Sequence, residues 1–292
     1  MEETTYQFKK KKHEQNQQNL IISMDKLPNS VTKLLISSHT ETYISPLPSS
    51  ITEENRATTP IIVGVDEAGR GPIFGSMVYS AAYMPESFSN SLNTGNAEDL
   101  KFGFDDSKKL TDVKRDELFG YLWKTSHNEN LSEEEQQNVK KLKANIGYVI
   151  TGISARDISS GMSKFPPTEI YNLNEQAHDT TMAMIRILKE DQKLNIKHVF
   201  IDTVGPPVSY QKKLEMKFPD LKFTVSKKAD SIYPIVSVAS VIAKVTRDMH
   251  LKELNKKFLR EDISLGSGYP SDPNTVKYLK ENVTALVGWN PV

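Results

Sequence analysis

The chain contains no cysteine, which excludes disulfide scaffolds, thiolate zinc sites, iron–sulfur clusters and cysteine nucleophiles. It carries no net charge either, since 37 Lys plus Arg offset 37 Asp plus Glu. That balance excludes a histone-like protein that holds nucleic acid by bulk charge, and leaves a local basic groove open. Long hydrophobic runs are missing too. The longest apolar tract, near Ile235 to Ala243, is broken by Ser237 and Ser240 and falls far short of the ~20 residues of a membrane span. Leu20 to Ser23 is too short for the apolar segment of a signal peptide, so a soluble intracellular protein is expected. The hydrophobic share, 37%, is low for a compact domain and predicts that part of the chain is not packed.

Residues 1–58 read as a polar, disordered tail, because no period of 2 or 3.6 is sustained there. The run Lys9-Lys10-Lys11-Lys12 is a solvated charge block, a nuclear-import patch or an electrostatic arm. Residues 59–292 read as one domain. Ile61 to Val65 is a continuous apolar run, as in a strand buried on both faces. Met77 to Met84 and Gly147 to Ser154 are further strands, followed by Lys197 to Asp202 and Lys222 to Val225. Helices are predicted over Thr111 to Trp123, Leu173 to Lys189, Tyr210 to Phe218, Ile235 to Phe258 and Asn274 to about Asn282. Asn128 to Asn138, acidic and polar, reads as a loop or insertion. The order of elements specifies an α/β fold with a mixed five-stranded sheet flanked by helices and a helical C-terminal part.

Acids stand where apolar strands end. Asp66-Glu67 closes the Ile61 run, and Asp202 closes His198-Val199-Phe200-Ile201. Asp230 precedes the long helix, where an N-cap would serve equally. Exposed turns would also place Asp66, Glu67 and Asp202 as they stand. At the strand ends of one α/β sheet the four would instead converge, forming an oxygen-ligand site for hard cations such as Mg²⁺ or Mn²⁺. The six histidines are scattered, so no zinc constellation competes. His178, beside Asp179, is expected in a satisfied surface or core position. Gly69-Arg70-Gly71-Pro72 is an ordinary tight turn, or a place where a phosphodiester backbone approaches closely beside a charged fork. Ser107-Lys108-Lys109 and Lys227-Lys228 are surface lysines or cations near the acids. Tyr269, in Gly266-Ser267-Gly268-Tyr269-Pro270, either packs or stacks on a sugar or base.

Taken together, Val65 to Pro72 resembles the N-terminal signature of the type 2 ribonuclease H family. Further motifs follow in that family's order: Asp106-Ser107-Lys108, Tyr171-Asn172-Leu173-Asn174, Phe200 to Gly205, Lys228 to Ser231 with Tyr233-Pro234, Ala243-Lys244-Val245 with Arg247-Asp248, and Gly266 to Pro270. The resemblance covers about residues 60 to 291 and leans towards the eukaryotic catalytic subunits. It implies a ribonuclease H-like fold and an endonuclease that cuts the RNA strand of RNA–DNA hybrids and single ribonucleotides embedded in duplex DNA. It further implies two Mg²⁺ ions, with Mn²⁺ as a substitute, on Asp66, Glu67, Asp202 and Asp230. Gly69, Arg70 and Gly71 would read the 2′-hydroxyl and grip phosphates, Lys108 and Asn172 would contact the DNA strand, and Tyr269 would stack on the following deoxyribose. A heterotrimer with two accessory subunits and residence in the nucleus are implied as well. Eukaryotic members continue beyond the position of Gly288 to Val292, so a truncated C-terminal end is expected. Two alternatives stay open: another carboxylate-cluster nuclease or phosphatase, and a non-catalytic nucleic-acid-binding or assembly subunit.

Overall fold

A computed structural model describes residues 27–92, 103–105, 107–124, 131–203, 205–258, 263–284 and 288–289. Lys9 to Lys12, Leu20 to Ile22, Asp106 and Val204 lie outside them. In chain order come α1 (Asn29–Ile36), β1 (Glu41–Ile44), β2 (Ile61–Ala68), β3 (Met77–Pro85), α2 (Asp112–Trp123), α3 (Glu133–Asn145) and β4 (Gly147–Ile153). Then follow α4 (Ala155–Met162), α5 (Leu173–Arg186), β5 (Ile196–Asp202), α6 (Pro207–Lys217), β6 (Lys222–Ser226), α7 (Pro234–Phe258), α8 (Pro273–Glu281), β7 (Val283–Thr284) and β8 (Gly288–Trp289). The main sheet has the order β1-β4-β3-β2-β5-β6. Its first four strands pair antiparallel, whereas β2–β5 and β5–β6 are parallel.

Central position explains the unbroken apolar run of β2. Ile62 and Ala68 pack under α7 on one face, while Ile61, Val63 and Val65 pack under α5 and α6 on the other. Covered on both faces, the strand has no reason to alternate. Helix α7 is apolar nearly all round and buries Val236, Val238, Ala239, Val241, Ile242, Ala243 and Val245, as expected of a helix lying inside the molecule. Among the described residues no helix is long and apolar enough to cross a membrane.

Three expectations are corrected. The sheet has six strands rather than five, because β1 adds an edge strand on β4. Residues 27–58 therefore belong to the folded body and not to the tail. Helix α1 buries Val31, Leu34 and Leu35, with Leu34 seated where a side chain on Gly152 would otherwise stand. Residues 133–138, expected as loop, begin α3, whose start is fixed by a reciprocal cap between Ser132 and Glu135. Of α3 only Leu142 is buried, so apolar periodicity could not reveal it.

Candidate active site

Strands β2 and β5 run parallel with Val65 beside Ile201, so both deliver their terminal acids to one edge of the sheet. Successive side chains on a strand point to opposite faces, and this separates Asp66 from Glu67. Asp66 is only 5% exposed and bonds to Ser240 of α7, whose hydroxyl lies 2.9 Å from that of Ser107. Its Oδ1 also accepts the Glu67 N–H at 2.7 Å. Glu67 faces the other way, into a cavity of about 80 Å³ shared with Arg70, Tyr79, His178, Asp202 and Tyr210. Asp202 accepts the Ala229 N–H at 2.7 Å, which ties β5 to the turn holding buried Asp230.

These acids oppose one another. Burial, then the charges of Glu67 and Asp202, hold Asp66 well above the usual carboxylate range. Burial and Asp202 push Glu67 up to about 7, against the pull of Arg70 and Lys108. Asp202 is raised by burial, with the Ala229 amide and the Lys108 charge working in the other direction. Buried carboxylates in this state need a proton or a cation. All the donors are oxygen, which suits a hard divalent ion. Among the described residues no three acids or histidines close on a single point, in keeping with Asp66 and Glu67 lying on opposite faces of their strand.

Two glycine loops adjoin the acids. Gly69 has φ +88°, and a Cβ there would lie 2.7 Å from both Arg247 Nε and Ser76 O. Gly71 has φ +90° and open space around it, so a ligand can come close to its backbone. Arg70 donates to Asn174 Oδ1 and also bonds to Tyr79. The second loop is joined to the first by the Ile73 N–H, which donates to Gly268 O at 2.7 Å. Arg247, fully buried on α7, clamps the pair: its Nη2 donates to Ser267 O at 2.8 Å and Phe74 O at 3.3 Å. Its guanidinium lies 4.8 Å from the Tyr269 ring centre. Arg247→Met is expected to lower kcat/KM about 10- to 100-fold with substrate. Arg247→Lys should not restore it, since one ammonium cannot span these acceptors. Recovery in the Lys variant would show that only the charge matters.

Comparison with known proteins decides the family. The ribonuclease HII sequence profile matches residues 63–290. The chain belongs to the ribonuclease HII family. The ribonuclease H2 A-subunit of Neurospora crassa is 45% identical over 257 residues, covering 88% of this chain and 73% of that protein. Its human counterpart is 37% identical, covering 84% and 71%. Among solved structures, ribonuclease H2 of Pyrococcus horikoshii has a TM-score of 0.55 at 27% identity, covering 76% of this chain and 86% of that one. The protein is thus a ribonuclease H, a hydrolase with endonuclease activity.

Within this ribonuclease HII chain, Lys108 sits in a turn held by Arg115, whose Nη1 donates to the carbonyls of Ser107 and Leu110 at 2.5 Å each. Asn172 caps α5, its Oδ1 accepting the N–H groups of Asn174 and Glu175. That leaves only its Nδ2 hydrogens for a ligand. Tyr269 is half-buried, with one ring face occupied by Arg247. Lys228 is exposed in a left-handed backbone conformation, φ +58°. His178 forms part of the cavity wall, stacked on Tyr210 at 3.8 Å and 14°. Sequence reading did not single out Asn174, Ser240 or the cavity pair Tyr79 and Tyr210. It noted Arg247 as a motif without a role. An arginine inside an otherwise apolar helical face was the signal available for it.

Proposed function

We propose that this chain is a catalytic subunit that hydrolyses the RNA strand of RNA–DNA hybrids and cuts 5′ of single ribonucleotides embedded in duplex DNA. Cleavage leaves a 5′-phosphate and a 3′-hydroxyl. One observation carries the reading: mutually raised, buried carboxylates at the sheet edge adjoin two joined glycine loops, one with Arg70 and the other with Tyr269. Asp66, Glu67, Asp202 and Asp230 would hold two Mg²⁺ ions, or Mn²⁺ in their place. When bound, these supply water activation and stabilise the leaving oxygen. The distribution of Asp66 and Glu67 over two faces of β2 favours two ions over one closed cage.

The chain's own groups do the rest. The open backbone at Gly71, with Gly69 and Arg70, admits a 2′-hydroxyl and its flanking phosphates, the features that separate RNA from DNA. Tyr269, held from behind by Arg247, presents its other face to the next sugar. Lys108 and Asn172 contact the DNA strand. Relatives named as ribonuclease H2 subunits support assembly with two accessory chains as a heterotrimer, and a role in the nucleus in ribonucleotide removal and primer removal.

The test compares a duplex carrying one ribonucleotide with the same duplex in all-DNA form, with and without Mg²⁺. Rapid Mg²⁺-dependent cleavage of the first alone is expected. Equal rates on both would sink the reading and favour a general nuclease or phosphatase. No cleavage with accessory subunits present would favour a non-catalytic role in assembly.

A further inference from the structure

Every residue from Met162 to Ile170, between α4 and α5, is exposed. Three of them are large and apolar: Phe165 is 87% exposed, Met162 49% and Ile170 39%. Single exposed hydrophobes are ordinary, whereas three on one short connection call for a surface to meet. The connection is a built element. The Tyr171 N–H donates to Gly161 O at 3.0 Å and closes its base, and Gln176 Nε2 donates to Tyr171 O at 2.8 Å. Inside it, the Glu169 N–H donates to Pro166 O at 2.8 Å, and Pro166 and Pro167 restrict the backbone. Little ordering entropy is then left to lose on binding.

Its place points to the ligand. Asn172 begins α5 directly after it, and Asn174 receives Arg70 at the cavity. At 3.8 Å per residue, Ile170 lies within about 15 Å of Asn174. Proteins that bind duplexes specifically bury about 1,000–2,500 Å² of their surface, far more than the mouth of a cavity of about 80 Å³ offers. A duplex engaged there must rest on the rim. Lys164, whose Nζ lies 5.9 Å from the Tyr171 ring centre, adds a cation beside the apolar tip, which suits a phosphate-lined groove.

We infer that the Met162–Ile170 connection is a duplex-binding rim of the active site, with Phe165 packing against sugars and base edges in the minor groove. Apolar side chains recur as such wedges. The inference rests on the ribonuclease reading above and adds a substrate contact to it.

Phe165→Ala and Phe165→Trp test it, assayed for cleavage and, in an Asp66→Asn background, for binding of the one-ribonucleotide duplex with accessory subunits present. The alanine variant should raise KM and Kd about tenfold, with kcat and melting temperature unchanged, and the tryptophan variant should restore both. Values within twofold of the parent, for a parent that binds and cuts that duplex, overturn this inference alone. A parent that neither binds nor cuts it overturns the ribonuclease reading as well. Weakened capture of accessory subunits with duplex binding intact overturns the inference in favour of a protein contact.

Discussion

Replacing Asp66 by Asn is expected to slow hydrolysis by about three orders of magnitude while making the metal-free protein more stable. The two effects share one cause. Asp66 is buried, and Glu67 and Asp202 repel its charge, so the folded chain stores electrostatic cost at this edge until cations arrive. Asparagine keeps the shape and removes the charge. The relief should be about 1–3 kcal/mol near pH 8, or several degrees of melting temperature. Loss of one cation ligand costs several kcal/mol of transition-state stabilisation.

Acidity supplies the sign. Glu67 has an ordinary value of 4.5 and is pushed up to about 7 in the fold. Its contribution to stability is therefore fully present below pH 4.5 and is lost as the pH rises through 7. Without metal, the parent should melt at a lower temperature at about pH 8 than at about pH 5, and Asp66→Asn should flatten that slope. Mg²⁺ should raise the parent's melting temperature at about pH 8 and the variant's far less. A variant that keeps a tenth of the parent's kcat, or melts lower at about pH 8, would remove Asp66 from this role.

Gly64→Ala should produce the largest loss of stability. A Cβ at Gly64 would stand 2.5 Å from Ile235 C and O and 2.7 Å from Val236 N, all backbone at the start of α7. Backbone in a buried helix cannot turn aside as a flexible side chain can, so strand and helix must separate. That costs about 3 kcal/mol or more, a fall of about 6 °C or more in melting temperature. It also displaces the start of α7 from the strand ending in Asp66, so activity should fall with stability. Gly71→Ala is the control. Nothing lies within 4 Å of its Cβ position, and only the φ of +90° opposes a side chain, a penalty of about 1–3 kcal/mol. Thermal melts of the two variants side by side decide the matter. Equal losses would mean that helix contact at Gly64 is not what requires glycine.

Elements with their own local signal were legible from sequence. The apolar run of β2, the Thr111 cap of α2 and the length of α7 carry their reasons within a few residues. Helix α3 also had a local signal, the Ser132–Glu135 pair, but a single buried residue gave it no period to notice. Helix α1 and strand β1 had none. Four short residues of β1 become a strand only because β4 offers an open edge, and α1 forms where Gly152 leaves room for Leu34. Both depend on partners more than a hundred positions away.

The site divides in the same way. An acid at the end of an apolar strand is a local fact, so Asp66, Glu67 and Asp202 could be named from sequence, and the absence of cysteine restricted them to oxygen-ligand chemistry. Sequence alone also confined the chain to one α/β body with no net charge to hold a polyanion. Only the tertiary structure decided how the acids oppose one another, since that depends on the register of β2 with β5 and on burial under α7. It also decided that one buried arginine joins two loops nearly two hundred positions apart. Charge repulsion and hydrogen bonding act through space, and separation along the chain does not encode them.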